Sequence, residues 1–259
     1  MDAFLDKHLR EGVAVIEIVN EKKKNAMTPA LLDELGRMLT VLEADRDVRT
    51  LLLTGRGDHF CTGMDVEWFR SVASLSEIHT INVHNQDIHR KLAAFSKPVV
   101  AALQGYTMGQ GVALALYSDI RIASEDVKIG MPEIKLGFPV LMNCIKRLAG
   151  LVGMGRTKEI LFLGDIINAQ QALTMGLINY VAPKETFKEE AFRLAKRLSQ
   201  SSPMALAMMK RAAEFACEMS LEACFSYELS DFNRYWQTDD RPEGFKAFFE
   251  KRGPHFTGK

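Results

Sequence analysis

One stretch, residues 97–119 (KPVVAALQGYTMGQGVALALYSD), constrains the fold of this chain most. It opens with a continuous apolar run, Val99-Val100-Ala101-Ala102-Leu103. A run this short with no polar face predicts a strand over 98–103 that is covered on both sides. Gly105, Gly109 and Gly111 follow, and there the backbone can turn tightly and approach a ligand without interference from a Cβ. An apolar helix is predicted from about Val112 to Tyr117. A helix starting behind such a turn presents unpaired N–H groups and the positive end of its dipole. The stretch is therefore suited to holding a developing negative charge with backbone donors.

The flanking sequence supplies the frame. Residues 9–20 read as a hairpin-like opening broken at Gly12, with apolar alternation on both sides. Thr28-Pro29 opens a helix, Thr as N-cap and Pro in the first turn, with Leu31, Leu35, Met38 and Leu42 at helical spacing. Residues 48–54 predict a second buried strand, ended by Gly55-Arg56-Gly57. Residues 60–66 are a loop of small residues running into a short helix over 67–70. A longer helix is expected over 76–95, and strands over 120–123 and 127–129. Strand and helix in alternation predict an α/β fold with right-handed crossovers. From Ile145 onward only helices are expected, over 144–149, 155–163, 169–175 and 186–199. Ser201-Ser202-Pro203 marks a boundary between a core over 1–200 and a helical region over 201–259. The three helices beyond it (204–219, 221–236, 241–251) carry a Met- and Phe-rich stripe that is either plain core or a subunit interface.

Several function classes fall away. With 33 basic and 33 acidic residues in 259, the chain has no electrostatic footprint for nucleic acid or an anionic membrane. Its charged start predicts no secretory signal. The longest apolar region, 98–117, is interrupted by glycines and by Gln104 and Gln110, so no membrane span is expected. Cys61, Cys144, Cys217 and Cys224 form no C-x-x-C pair and have no histidine at metal spacing. Reduced, buried or half-buried thiols in a cytoplasmic protein are the expectation. His79, His84 and His89, spaced by five, spread around a helix and predict a solvated face rather than a metal site. The glycine pattern is G-x-x-x-G-x-G, which is not a dinucleotide fingerprint, and neither a P-loop nor a G-x-S-x-G elbow is present.

Two features remain. Thr62-Gly63-Met64 is a second small-residue loop between a strand and a helix, so two backbone N–H groups from two loops can converge on one oxygen. In IGMPEIKLGFPVL (129–141), a single carboxylate, Glu133, lies in apolar surroundings. Burial there raises a carboxyl pKa toward values useful for proton transfer. The alternative is a solvated Glu133 paired with Lys135.

Together these segments resemble the crotonase superfamily, the enoyl-CoA hydratase/isomerase proteins, over essentially the whole chain. KKKNAMTPALLDEL resembles the family's opening N-A-[ML] motif, and FCTGMDV its F-C-A-G-x-D-[ILV]. Residues 97–124 resemble the central K-P-V-I-A-A-V-x-G-x-A-x-G-G-G segment, and PEIKLGF the P-E-x-x-L-G signature. EGFKAFFEKRGPHFTGK resembles the usual ending. The resemblance implies a spiral of ββα units with a C-terminal helical trimerisation region, assembled as a homotrimer or a hexamer. It implies acyl-CoA thioester substrates and no metal or redox cofactor. Carried over residue by residue, the oxyanion-hole N–H groups are those of Met64 and Gln110. Backbone donation leaves the Gln110 side chain nearly irrelevant. Lys24, Ala26, Thr62, Asp65 and Val66 fall where relatives hold CoA, and Trp68, Phe69, Met108, Phe138 and Leu141 are assigned to the acyl pocket wall.

Departures from the pattern bear on the reaction. Typical hydratases of the family use two glutamates; here Ala113 stands at the first position, and only Glu133 remains. Phe138-Pro139-Val140-Leu141-Met142 replaces a glycine-rich segment. Leu141 stands where dienoyl-CoA isomerases and the dehalogenase branch place an aspartate. The single-glutamate pattern resembles the Δ3-Δ2-enoyl-CoA isomerases. The alternatives are a hydratase or dehydratase of a cyclic or dienoyl acyl-CoA, a decarboxylase, and a non-catalytic acyl-CoA-binding member.

Overall fold

The computed structural model describes residues 4–140 and 144–259. Strands β1 (Phe4–Arg10) and β2 (Val13–Val19) form the antiparallel hairpin. Its turn places Glu11 and Gly12 at φ +51 and +77, the left-handed pair that a two-residue turn requires. Helix α1 (Pro29–Ala44) begins at Thr28, whose hydroxyl accepts the Leu31 N–H. From β2 the sheet continues in parallel through β3 (Thr50–Gly55), β4 (Val99–Leu103), β6 (Ile120–Ser124) and β9 (Tyr180–Ala182). A second sheet joins β5 (Tyr106–Met108), β7 (Lys128–Gly130) and β8 (Ile167–Asn168).

Successive passes of the chain lay one strand in each sheet. β4 is followed by β5 and β6 by β7, while Cys61, beyond β3, makes a single parallel bridge with Thr107 on β5. Helices α4 (Gln110–Leu116) and α5 (Cys144–Leu163) come after β5 and β7, which makes the repeat a ββα unit wound as a spiral. Side chains of β4 alternate between two cores, as period two dictates. Val99, Ala101 and Leu103 enter the larger one with α1 and α3 (Leu75–Ala94). Val100 and Ala102 meet Phe187, Ala191 and Ala195 of α7 (Phe187–Ser199) on the other face. The strand predicted to be covered on both sides is so covered.

Some expectations need correction. The glycine turn contains a strand, β5, and α4 starts at Gln110, two residues early. β8 and β9 lie in a region expected to hold helices alone, since strands of two and three residues carry no readable period and exist by pairing with β7 and β6. The two helices expected over 144–163 are the halves of α5, which breaks at Gly153 (φ 77, ψ 161). Cys61 and Cys144 are buried, but Cys217 is exposed.

After α6 (Ala169–Thr174) and α7, Ser202 caps α8 (Pro203–Ala216), and α9 (Leu221–Tyr235) and α10 (Asp240–Glu250) complete the chain. Buried Asp240 accepts the Ser202 hydroxyl and the Thr257 and Gly258 N–H groups, which ties down the tail. Phe225, Leu229, Phe232, Trp236, Phe248 and Phe249 are exposed, the last two above three-quarters (77% and 78%), so the stripe is not core of this chain. Among the described residues no helix is long and apolar enough to cross a membrane.

Candidate active site

Two loops meet where the sheets converge. Met108 N–H donates to Cys61 O (2.9 Å) and Cys61 N–H to Tyr106 O (3.2 Å). On its other side the 61–66 loop is stitched to Met27, whose N–H donates to Gly63 O and whose carbonyl accepts the Asp65 N–H, both at 2.8 Å. Gly63 lies against the glycine turn: a Cβ there would stand 3.3 Å from Met108 O and 3.6 Å from Gln110 N. The Met64 N–H, one peptide beyond Gly63, is thus a near neighbour of the Gln110 N–H. Gly109 N–H is used on Gly130 O (3.0 Å), which anchors the turn to β7. Among the described residues, neither Met64 N–H nor Gln110 N–H has a protein acceptor.

Glu133 rides on a 3-10 helix, Pro132–Leu136, that follows β7 and is ended by Gly137 in the left-handed region. Its Oε1 lies over Gly109, 2.5 Å from where a Cβ on that residue would stand. Its Oε2 is buried without a protein partner among the described residues. Burial pushes the Glu133 pKa above its ordinary 4.5, opposed in part by a hydrogen bond from its own backbone and by no cation among the described residues. Lys135 pairs with Asp165 at 2.9 Å instead, so the solvated Glu133–Lys135 pair is excluded. The buried Cys144 thiol is pushed up to about 12, chiefly by desolvation and further by the Glu133 charge; it is a neutral wall, not a nucleophile. Ala113 is fully buried in the main core, so no second carboxylate enters from α4.

The remaining sequence-assigned residues surround these groups. Trp68 and Phe69 lie on α2 (Val66–Ser71), and Phe69 meets Phe138 edge-to-face at 5.1 Å. This aromatic contact connects the 61–66 loop to the Glu133 segment. Met108 is 9% exposed beneath the turn; Leu141, also assigned to the wall, lies outside the described residues. Asp65 caps α2 by accepting from Glu67 N–H (3.0 Å) and Trp68 N–H (3.3 Å), and pairs with Lys23 at 2.7 Å, which holds its carboxyl below the usual range. The Thr62 hydroxyl is shared between the carbonyls of Lys23 and Lys24. Lys24 sets its ammonium 5.0 Å over the Tyr106 ring, Ala26 is buried, and Val66 is exposed. A cleft of about 580 Å³ lies apart from all of these, with its charges paired internally: Lys210 with Asp119, Arg147 with Glu214 and Lys146 with Glu218.

Residues 8–259 match the family model described as Enoyl-CoA hydratase/isomerase. The chain belongs to this family. It is 33% identical over 250 residues to the crotonyl-CoA hydratase of Syntrophomonas wolfei, covering 96% of each chain. It is 32% identical over 250 residues to the 2,3-dehydroadipyl-CoA hydratase of Escherichia coli, covering 96% of this chain and 97% of the other. Its fold superposes on the crystal structure of an enoyl-CoA hydratase from Bacillus anthracis with a TM-score of 0.95 at 29% identity, covering 98% and 99% of the two chains. The crotonase-type spiral expected from the sequence is therefore its fold.

Within this enoyl-CoA hydratase/isomerase family member, sequence reasoning missed His89. It was placed with His79 and His84 on a solvated face, yet it is 1% exposed, on the buried stripe Ile81, Asn85, Ile88, His89 and Leu92 of α3. A spacing of five turns each successive histidine well over 90° around a helix, so only one of the three points inward. The position of His89 one residue after Ile88, on the stripe spaced 81, 85, 88 and 92, was the available signal.

Proposed function

We propose that this family member is an acyl-CoA enzyme of the single-carboxylate kind, a Δ3-Δ2-enoyl-CoA isomerase. The observation that carries this reading is Glu133, its Oε2 buried and, among the described residues, unpartnered, beside two N–H groups that have no acceptor among those residues. The thioester carbonyl of a 3-enoyl-CoA accepts from Met64 N–H and Gln110 N–H. The Glu133 carboxylate removes a proton from C2, and the electron pair delocalises onto the thioester oxygen as a dienolate. The now neutral Glu133 returns the proton to C4, which leaves the double bond between C2 and C3. Removing one such oxyanion donor typically costs roughly 3 kcal/mol of transition-state stabilisation. Protein groups and the CoA of the substrate supply every part, so the reaction needs no further cofactor.

Lys24, Ala26, Thr62, Asp65 and Val66 form the rim beside Met64 and are the proposed CoA contacts, with Trp68, Phe69, Met108 and Phe138 as the acyl wall. Hydration is the second reading, favoured by relatives named as hydratases. It requires a water oriented without a carboxylate at position 113. Mass spectrometry of products separates the two. Conversion of 3-enoyl-CoA to 2-enoyl-CoA without solvent oxygen is expected; gain of one water on 2-enoyl-CoA, with label from heavy-oxygen water, would install the hydratase. Absence of both reactions and of proton exchange at C2 would mean a binding protein.

The exposed aromatic stripe of α9 and α10 supports burial of the region 201–259 in an assembly, for which the proposed form is a homotrimer or a dimer of trimers. An apolar face of this kind is hidden in stable assemblies. Sedimentation at micromolar concentration should give three or six times the 29.1 kDa chain mass, and a monomer would refute the assembly.

A further inference from the structure

The Gln110 side chain is not idle. It is 1% exposed, and its Nε2 lies 3.4 Å from Nε2 of His89, itself 1% exposed. One hydrogen bond joins them: an amide nitrogen can only donate, so Gln110 Nε2–H donates to a His89 Nε2 that carries no proton. His89 is in turn held flat: its ring stacks on Tyr117 at 4.5 Å with an interplanar angle of 4°. The Arg147 guanidinium lies 4.8 Å from the Tyr117 ring and is fixed by Glu214. Tyr117 is the residue that ends α4, seven positions after Gln110 and so on the same side of the helix, and His89 touches both. Asn85 and His89 are the two polar members of an otherwise apolar buried stripe, the local inconsistency that marks a functional constraint rather than packing.

We infer that His89 is a positioning residue. It clamps the Gln110 side chain from α3 and thereby fixes the direction of the Gln110 N–H that polarises the thioester. The inference rests on the oxyanion role proposed above for that N–H. The carbonyl of that peptide, Gly109 O, already accepts Ala113 N–H (3.0 Å); a buried glutamine bonded at its far end adds a second restraint through its Cα, which a glycine at 110 would lack. Small misplacements of a donor at the developing charge are expensive in rate.

The test uses the full-length protein with butyryl-CoA carrying carbon-13 at the thioester carbonyl, whose stretching band is read by infrared difference spectroscopy. In the wild-type protein the bound band should lie below that of the free thioester. His89→Phe keeps a ring against Tyr117 but removes the hydrogen bond. It should lose most of the band shift and about tenfold in kcat, with KM changed less than about twofold. His89→Gln, whose Oε1 can accept the same Gln110 N–H, should restore most of both. In a Gln110→Gly background, His89→Phe should add nothing, because the lever it works through is gone. If His89→Phe does not fold, Gln110→Leu cuts the same bond from the other end and should reproduce its losses. A full band shift and full kcat in these variants, or an additive effect of His89→Phe in Gln110→Gly, overturns the positioning role. An unshifted band in the wild-type protein overturns instead the oxyanion reading beneath it.

Discussion

Glu133→Gln should lower turnover of 3-enoyl-CoA by about a thousandfold while thioester affinity changes less than about threefold. A positioned acid–base group contributes roughly 10²–10⁴ in rate, and here no second carboxylate shares the task. The amide is close in shape and leaves the two N–H donors in place. Calorimetric titration with a CoA thioester beside a turnover assay checks both halves. Turnover within tenfold of wild type would remove Glu133 from the reaction.

The same residue sets a pH signature. Its pKa is raised by burial, so the carboxylate needed to take the C2 proton appears only as pH climbs past that raised value. The acidic limb of kcat/KM should therefore lie above 4.5. The sign for stability is opposite. Between the unfolded value near 4.5 and the raised folded value, the native state binds more protons than the unfolded chain, so stability falls as pH rises through that window. Above it, wild type carries the cost of a half-buried charge with no partner among the described residues, and Glu133→Gln does not. The variant should melt higher than wild type at neutral pH, with the difference vanishing below the window. A limb at or below 4.5, or a variant less stable than wild type at neutral pH, would contradict a half-buried Glu133 with no partner among the described residues.

Gly109→Ala should be the other severe change. Gly109 sits at φ 48, ψ −112, a conformation hostile to any Cβ, and the added carbon would stand 2.5 Å from Glu133 Oε1. Backbone strain of this kind costs about 1–3 kcal/mol, which lowers Tm by several degrees in a chain of this size. The displaced carboxylate should reduce kcat by about a hundredfold, since a shift near 1 Å has that effect. Gly137→Ala separates the two causes. Gly137 has φ 75 with nothing within 4 Å of a Cβ, so it bears backbone strain alone and should lose stability but keep most of its rate. Equal kinetic losses in both variants would show that contact with Glu133 is not what position 109 protects.

Much of this was legible in the chain. The double-sided burial of β4 follows from an unbroken apolar run, the start of α1 from Thr28-Pro29, and the boundary before α8 from Ser202-Pro203; each is a local signal with a local cause. The two loops and Glu133 were legible as separate features, because glycine spacing and a lone carboxylate in an apolar segment are themselves local. Nothing local revealed β8 and β9, which exist through pairing with strands tens of residues away. The histidine spacing misled, since position around a helix does not say which side the rest of the protein covers.

By itself, the sequence determined the family, the spiral of ββα units, and the set of groups available: backbone donors in two loops and one carboxylate with alanine at 113. The tertiary structure alone decided their relations. It set Gly63 against Gln110, laid Glu133 over Gly109 and left its Oε2 without a partner among the described residues, gave Lys135 to Asp165, and turned His89 inward onto Gln110. The physical reason is that residue type and spacing determine what an element can present. Burial, desolvation and the choice among competing partners depend on neighbours that chain topology brings together from distant positions.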